Sequence, residues 1–454
     1  MMALPFIDGV APDLPALLDD EGGEWLTYGA LADRAWEWCG RMRGPRGVVF
    51  LYTRNHKDSV AALLGSLAAG HAVSLFDQKL TIEARVTLEA IYRPDWIVVP
   101  EAGSPVYRGG GGSLHPDVAV LLSTSGSTGS AKLVRLTLSA MQANAEGIAE
   151  VLHMGQNDVA AGYLPLQYSY GLSVLTSHLI CGARIRLTDM GLTDRAFWPA
   201  MREAGITHMP GVPFHHQIML KLGLKRLNLP GLRTLTQAGG VLDPALRAQA
   251  HEFMAATGGQ FFVLYGQTEA APRMTTLQHD DFPLAPRSVG TALPGCRIEI
   301  LDPDAKGHGE VVFHGPNVML GYAESRDDLC RGDDMFGRLP TGDVGFLDAA
   351  GRLTLTGRVK RMGKIYGLRV SLDEVEMLAN TLGSAAVTQT GEALTLHVAT
   401  TGDALADEAL SHAILARLLE RFTVPPAGYR LRIVEAIPRT DRGKIDYAAL
   451  EAQT

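Results

Sequence analysis

The sequence predicts an α/β protein: a large body built on two αβ sheet series with a small β subdomain, then a compact α+β module at the C-terminal end. Three observations carry this. Strand-like apolar runs alternate with helical stretches through the first two thirds of the chain, the pattern of βαβ units and parallel sheets. From Val289 the helices drop out and short strands follow one another. After Arg358 the composition turns charged, and helices and strands alternate again.

The first series reads as strand Val48 to Tyr52, helix Lys57 to Ala69, strand Ala72 to Phe76, helix Thr81 to Ile91 and strand Trp96 to Val99. Gly70-His71 interrupts the most apolar stretch, Val60 to Phe76, so it reads as a core helix leading into a strand and not as a membrane span. Four glycines within Arg108 to Ser113 suggest a pliable connector to a second series. That series begins at Val118 and includes Ala183 to Leu187, Thr207 to Met209 and Phe261 to Tyr265. Arg297 to Leu301, Glu310 to Phe313 and Arg352 to Thr356 form the β subdomain. In the last module, Ser371 caps a helix from Leu372 to Leu382 with Glu374 at its third position, a capping box. Strands Ala385 to Thr390 and Ala393 to Ala399, a helix Glu408 to Arg421 and a strand Tyr429 to Val434 complete it.

A chain of 454 residues exceeds a single core, so two or more domains are expected. A hydrophobic fraction of 46% with 20% charged residues describes a globular protein and excludes a disordered one. The net charge of −8 argues against a nucleic-acid partner. Cys39, Cys181, Cys296 and Cys330 are widely separated, without metal or redox spacing, and suit a reducing cytoplasm. Asp8 and Asp13 stand early and no basic start precedes an apolar run, so no secretory leader is expected. His215-His216 has no third ligand at metal spacing.

The chemistry concentrates at Leu121-Leu122-Ser123-Thr124-Ser125-Gly126-Ser127-Thr128-Gly129-Ser130-Ala131-Lys132. A buried strand stops at hydroxyls and glycines and closes on one lysine. Glycines let backbone N–H groups curl around an anion, hydroxyls add donors, and Lys132 adds charge. The kinase-type phosphate loop fails here, because Ala131 stands where its second glycine belongs and Leu133 replaces the magnesium-binding hydroxyl residue. Leu133 to Thr137 reads as a strand, so the loop joins two strands. By itself it could equally be a plain Ser/Gly connection.

Other segments decide between these. The loop resembles the Thr-Ser-Gly-Thr-Thr-Gly-x-Pro-Lys loop of the AMP-forming adenylating enzymes: acyl-CoA and aryl-CoA synthetases, peptide-synthetase adenylation domains and luciferases. Further matches follow in family order: Leu164 to Gly171, Thr236-Gln237-Ala238-Gly239-Gly240, Tyr265-Gly266-Gln267-Thr268-Glu269, Gly309-Glu310 with Gly315 to Tyr322, Thr341-Gly342-Asp343, Gly357-Arg358 with Gly367 to Val370, and Pro438 to Tyr447. Most of the chain is covered, and the acyl-CoA synthetase branch is most similar. The resemblance implies a body over residues 1–359, with two sheet subdomains and a β-barrel, and a mobile lid over residues 360–454 hinged near Lys360.

It also implies the activity. A carboxylic acid would attack the α-phosphate of ATP, giving an acyl-adenylate and pyrophosphate, and the acyl group would pass to the thiol of CoA or of carrier-protein pantetheine. Passage to an amine or another small nucleophile is the alternative. Ser125, Gly126, Ser127, Thr128, Gly129 and Lys132 would hold the β- and γ-phosphates, and Thr268 the α-phosphate. Glu269, with Thr128, would carry Mg²⁺. Asp343 would accept the ribose hydroxyls, with Arg358 assisting. Tyr265, Gly266, Gln267 and the Ala238-Gly239-Gly240 backbone would flank adenine and acyl group. Lys444 would bridge carboxylate and α-phosphate from the lid, and Gly367 would line the thiol tunnel. Tyr168, Tyr170, Met209, Pro213 and Phe214 would wall the acyl pocket. A cytoplasmic monomer or homodimer is expected.

The chain departs from the family pattern in places. Ala131 replaces the loop proline and Tyr168 a frequent histidine. Arg361-Met362-Gly363-Lys364 replaces an acidic-apolar-Ile-Lys run, which bears on the acceptor more than on the adenylation. Lys364 and Arg369 would attract CoA phosphates or a carrier protein's acidic helix, or equally be plain lid charges. No aspartate precedes Ser169, which disfavours an amino-acid substrate. A fatty, short-chain or aromatic acid all remain compatible. A non-catalytic nucleotide-binding relative is disfavoured by Thr268, Glu269, Asp343, Arg358 and Lys444 occurring together.

Overall fold

The computed structural model describes residues 3–123, 132–365, 368–391, 393–422, 424–440 and 445–452, without the side chains of 360, 362, 364, 368 and 369. Two compact units form, one from Met1–Ile298 and Phe313–Leu339, the other from Glu299–Val312 and Pro340–Thr454. The fold is α/β with several mixed sheets, as the alternation of runs predicts.

In the first unit, one sheet runs Gly321–Ala323, Leu133–Thr137, Val118–Ser123, Ala72–Asp77, Val48–Thr53, Trp96–Val98, Val106–Tyr107. Its central strands pair in parallel and are buried on both faces, which is why they read as unbroken apolar runs. The second sheet runs Thr291–Ala292, Arg273–Leu277, Gln260–Gly266, Thr234–Gln237, His208–Gly211, Val159–Gly162, Arg184–Leu187, Pro15–Leu18, Leu26–Thr27. The helix Lys57–Ala68 is buried along nearly its whole length and leads directly into the strand Ala72–Asp77. No helix among the described residues is long and apolar enough to cross a membrane.

The assignment of strands to series needs correction. Val118–Ser123 belongs to the first sheet, in parallel pairing with Ala72–Asp77, while Pro15–Leu18 crosses to the second, beside Arg184–Leu187. Nor is the glycine-rich stretch a loose connector. The Gly111 amide donates to Asp95 Oδ1 at 3.0 Å, and Arg326 donates to the Gly112 carbonyl at 3.3 Å. The glycines there permit close packing, which composition alone does not distinguish from pliability.

Asp95 is the hub of that packing. It accepts from the Val48 amide at 2.7 Å and from the buried Arg326 guanidinium at 2.9 Å. Burial pushes its carboxyl up, but the two amides and Arg326 more than offset this and leave it below its ordinary value of 3.8. The stabilisation is therefore present above that value and lost as pH falls through the lower folded one. Asp95→Ala strands the Arg326 charge and the Val48 amide together, and is expected to cost about 3–5 kcal/mol in a urea or thermal melt.

The strands Arg297–Leu301, Gly309–His314, Arg338–Leu347 and Leu353–Arg358 make a four-stranded sheet in that order, the small β subdomain expected after Val289. In the second unit, Ala385–Thr390, Ala393–Ala399 and Tyr429–Val434 form a three-stranded sheet. Helices Leu372–Ala379 and Ala404–Arg421 pack on it over Val375, Leu396, Ile414 and Leu418. The Ser371 side chain caps the first helix by accepting from the Glu374 amide at 3.2 Å. That helix ends at Ala379, short of Leu382, and the second starts at Ala404, ahead of Glu408, capped by Asp403, whose carboxylate accepts from the Leu405 amide.

Arg361, the residue that departs from the family pattern, has a structural role in this unit. Its guanidinium donates to Asp373 and, at 2.9 Å, to Glu376, and lies 3.9 Å from the centre of the Tyr447 ring. Tyr447 in turn donates to Glu376 at 2.6 Å. Arg439 and Ile445 pair across a β-bridge, and the Asp446 amide donates to the Pro438 carbonyl at 2.9 Å. Residues 438–439 and 445–447 are thus fixed to the module.

Candidate active site

Parallel strands Val159–Gly162, His208–Gly211, Thr234–Gln237 and Gln260–Gly266 all end at one edge of the second sheet. Beyond their carboxyl ends lie Tyr163, Val212, Ala238 and Gln267 with Thr268, at the edge where α/β proteins place ligands. The sheet thereby brings together four segments that are far apart in sequence.

Two glycines make this edge possible. At Gly266 a Cβ would stand 1.9 Å from the Pro272 carbonyl oxygen, so only glycine lets the returning strand Arg273–Leu277 close against it. Gly239 has φ +78°, and a Cβ there would meet the Tyr168 hydroxyl at 2.5 Å. Tyr168 and Tyr170 pack edge-to-face, 6.2 Å between ring centres. Gly240 lies beside Pro213, and the Ala238 amide donates to the Gly211 carbonyl at 3.0 Å.

Thr236, at the heart of the Thr-Gln-Ala-Gly-Gly segment, organises the floor beneath. Its hydroxyl meets the Tyr170 hydroxyl at 2.9 Å and His208 Nε2 at 3.0 Å, and its carbonyl lies 3.1 Å from His216 Nε2. Burial pushes His215 and His216 down to about 4, so both are neutral near pH 7. Of the proposed wall residues, Met209 is fully buried while Phe214 is 55% exposed, so Phe214 sits at a rim.

Thr268 and Glu269 occupy a short 3₁₀ turn directly after the strand Gln260–Gly266. The Thr268 hydroxyl is 3.1 Å from that of Ser169, at the start of the helix Ser169–Ile180. Tyr322 donates to Glu269 Oε1 at 2.8 Å, and the Lys132 ammonium lies 3.5 Å from the centre of the Tyr322 ring. Burial, followed by the Glu269 charge, raises the Tyr322 phenol well above its ordinary value, so it remains a donor. The Lys132 ammonium, the Tyr322 phenol and the Glu269 carboxylate thus follow one another in contact. Glu269 is half-buried and held in place by this phenol, an oxygen donor of the kind Mg²⁺ takes alongside phosphate oxygens. Tyr322→Phe is expected to raise the Mg²⁺ concentration for half-maximal activity by about 10-fold, read from a Mg²⁺ titration, by analogy with losing an outer-shell partner.

In the second unit, Asp343 and Arg358 are cross-strand partners, and Arg358 Nε donates to Asp343 Oδ1 at 3.1 Å. Asp343 is buried, whereas the Arg358 side chain is 64% exposed. The Thr341 hydroxyl accepts from the Asp343 amide at 3.1 Å and donates to the Val311 carbonyl at 2.7 Å, fixing the turn. Ser125, Gly126, Ser127, Thr128, Gly129, Gly367 and Lys444 lie outside the described residues, as does the side chain of Lys360.

Comparison with known proteins places the chain in a family. A profile of AMP-binding enzymes matches residues 111–323. An oxalate–CoA ligase of Arabidopsis thaliana is 31% identical over 351 residues, 73% of this chain and 66% of its own length. A sulfoacetate–CoA ligase of Cupriavidus necator is 28% identical over 96% of this chain and 94% of its own. The chain belongs to the AMP-binding enzyme family. ATP-bound MatB from Rhodopseudomonas palustris shares the fold, with a TM-score of 0.81 at 21% identity over 99% of this chain and 97% of that one.

Three residues carry more than their motifs suggest. Tyr322 closes a matched segment but had no role; its bond to Glu269 gives it one. Ser169 and Arg273 have no distinguishing sequence signal. Ser169 is one hydroxyl among many, and Arg273 is an isolated arginine in a strand.

Proposed function

We propose that this chain activates a carboxylic acid with ATP, forming an acyl-adenylate and pyrophosphate, and passes the acyl group to the thiol of CoA or of carrier-protein pantetheine. The observation that carries this reading is the Lys132–Tyr322–Glu269 contact series, whose carboxylate follows the carboxyl end of the strand Gln260–Gly266. Lys132 would be the phosphate-binding cation and Glu269 the metal-binding carboxylate.

Attack of a carboxylate on a phosphate brings two anions together, so positive charge and aligned donors must offset their repulsion. Lys132, with the hydroxyls of Ser125, Ser127 and Thr128, would hold the β- and γ-phosphates, and Thr268 the α-phosphate. Glu269, with Thr128, would hold Mg²⁺, which neutralises phosphate charge when bound. Tyr265, Gly266 and Gln267 would flank the adenine, and Asp343 with Arg358 would receive the ribose. The acid would lie between Tyr168, Tyr170 and Gly239. Lys444 would complete the site from a lid over residues 360–454, hinged near Lys360, and Gly367 would line the path of the thiol.

Product analysis by mass spectrometry tests the reading. With ATP, Mg²⁺ and a panel of acids, acyl-adenylate is expected without CoA, and AMP with acyl-CoA in its presence. Hydrolysis of ATP to ADP, or no acid-dependent product from any acid, would contradict it.

A further inference from the structure

Five arginines are buried among the described residues: Arg135, Arg186, Arg247, Arg273 and Arg326. Four have partners for their guanidinium groups. Arg135 pairs with Asp334, Arg186 with Asp20 and Arg326 with Asp95, while Arg247 donates to the Pro286 and Ser288 carbonyls. Arg273 differs. It is 3% exposed, its Nη1 is buried with no hydrogen-bond partner, and no carboxylate pairs with it among the described residues. Only its backbone is satisfied, by Asn144 and Asn317.

A buried cation without a counter-charge is among the costliest features a fold can keep. A cheaper solution exists in principle, since an apolar residue of similar volume would fill the same space. Arg273 keeps its charge nonetheless: burial pushes it down only to about 10. Such an orphaned group calls for a partner that the described residues do not supply.

The position of Arg273 says which partner. It opens the strand that returns against Gly266, four residues after Glu269. Its guanidinium carbon lies 5.5 Å from the centre of the Tyr170 ring. Tyr170 packs on Tyr168, whose hydroxyl faces Gly239. The charge thus lies beside the Tyr170 and Tyr168 rings between which the acid is proposed to bind. The nearby histidines do not compete for an anion, because burial pushes His178 down to about 4 and His208 well below its ordinary value.

We propose that the acid activated here carries a second anionic group, held by Arg273 in the acyl pocket. The proposal rests on the adenylating reading. One carboxylate forms the bond to the α-phosphorus as pyrophosphate leaves. The second group does not react and stays an anion, paired with the guanidinium fork, whose geometry suits a planar carboxylate bidentately. This narrows the open choice of acids to doubly anionic ones and disfavours fatty acids, whose tails would leave the cation unpaired.

The test compares acids of matched length in ATP–pyrophosphate exchange: malonate against propionate, succinate against butyrate, glutarate against valerate, with sulfoacetate to separate sulfonate from carboxylate. The wild-type protein is expected to favour at least one doubly anionic acid over its match by about 100-fold or more in kcat/KM, because a site left with an unpaired buried polar group rejects the analogue strongly. R273L is expected to abolish that preference, and R273K to keep part of it. In thermal melts without ATP, the favoured acid should raise the Tm of the wild type but not of R273L, while R273L alone should melt no lower than wild type. Exchange confined to singly anionic acids, unchanged in R273L, would overturn the proposal and leave adenylation standing. A Tm rise that depends on Arg273, with no exchange from any acid, would instead overturn adenylation and leave the anion site standing.

Discussion

Lys444→Ala is expected to lower the rate of acid-dependent pyrophosphate exchange by about 100-fold or more, the loss seen when one donor to developing transition-state charge is removed. The lysine sits in Pro-Arg-Thr-Asp-Arg-Gly-Lys-Ile-Asp-Tyr, and the role proposed for it is to offset charge between carboxylate and α-phosphate. The flanks of this segment are anchored by the Arg439–Ile445 bridge and by Tyr447 on Glu376 and Arg361. Losing the amine should therefore leave the Tm of the protein unchanged while the rate falls. An exchange rate equal to that of the wild type would remove Lys444 from the chemistry.

Glu269→Gln is expected to have the second largest effect. The amide keeps the shape and an acceptor for the Tyr322 hydroxyl, but it removes the negative charge that a hard cation requires. Exchange should fall by about 10- to 100-fold at fixed Mg²⁺, and part of the loss should return as Mg²⁺ is raised. Its dependence on Mg²⁺ separates this variant from Lys444→Ala, whose deficit no metal concentration restores. A Glu269→Gln protein with an unaltered Mg²⁺ titration would place the metal elsewhere.

Much of this was legible in the residues because it follows local rules. Apolar β-branched runs bounded by turn residues gave the central strands, and Ser371 ahead of Glu374 marked a helix start that the structure reproduces. Tyr265 to Glu269 announced a strand end with a carboxylate beyond it, and the turn carrying Thr268 and Glu269 lies there. What was not legible depends on distant partners. Pro15–Leu18 belongs beside Arg184–Leu187, and nothing local to either segment records that pairing. The glycines after Arg108 look the same in composition whether they form a loose tether or pack against Asp95 and Arg326.

Arg273 shows the same limit at the candidate site. In sequence it follows a proline and starts an ordinary strand; its meaning lies in being buried without a counter-ion among the described residues, which only the surrounding side chains define. Arg361 is the converse case. As a departure from the family pattern it pointed towards the acceptor, yet it ties Asp373, Glu376 and Tyr447 into one ion-pair and ring cluster within its own module. A charge near functional motifs thus gains its reading from its neighbours: paired, it is architecture, and unpaired, it looks for a ligand.

Acid-dependent incorporation of labelled pyrophosphate into ATP tests the central claim most directly, since it requires a reversible bond between a carboxylate and the α-phosphorus. The account predicts label in ATP only when a suitable acid and Mg²⁺ are both present, and none from Lys444→Ala above about one hundredth of the wild-type rate. Label appearing without acid, or no label with any acid while ATP is bound, would contradict it.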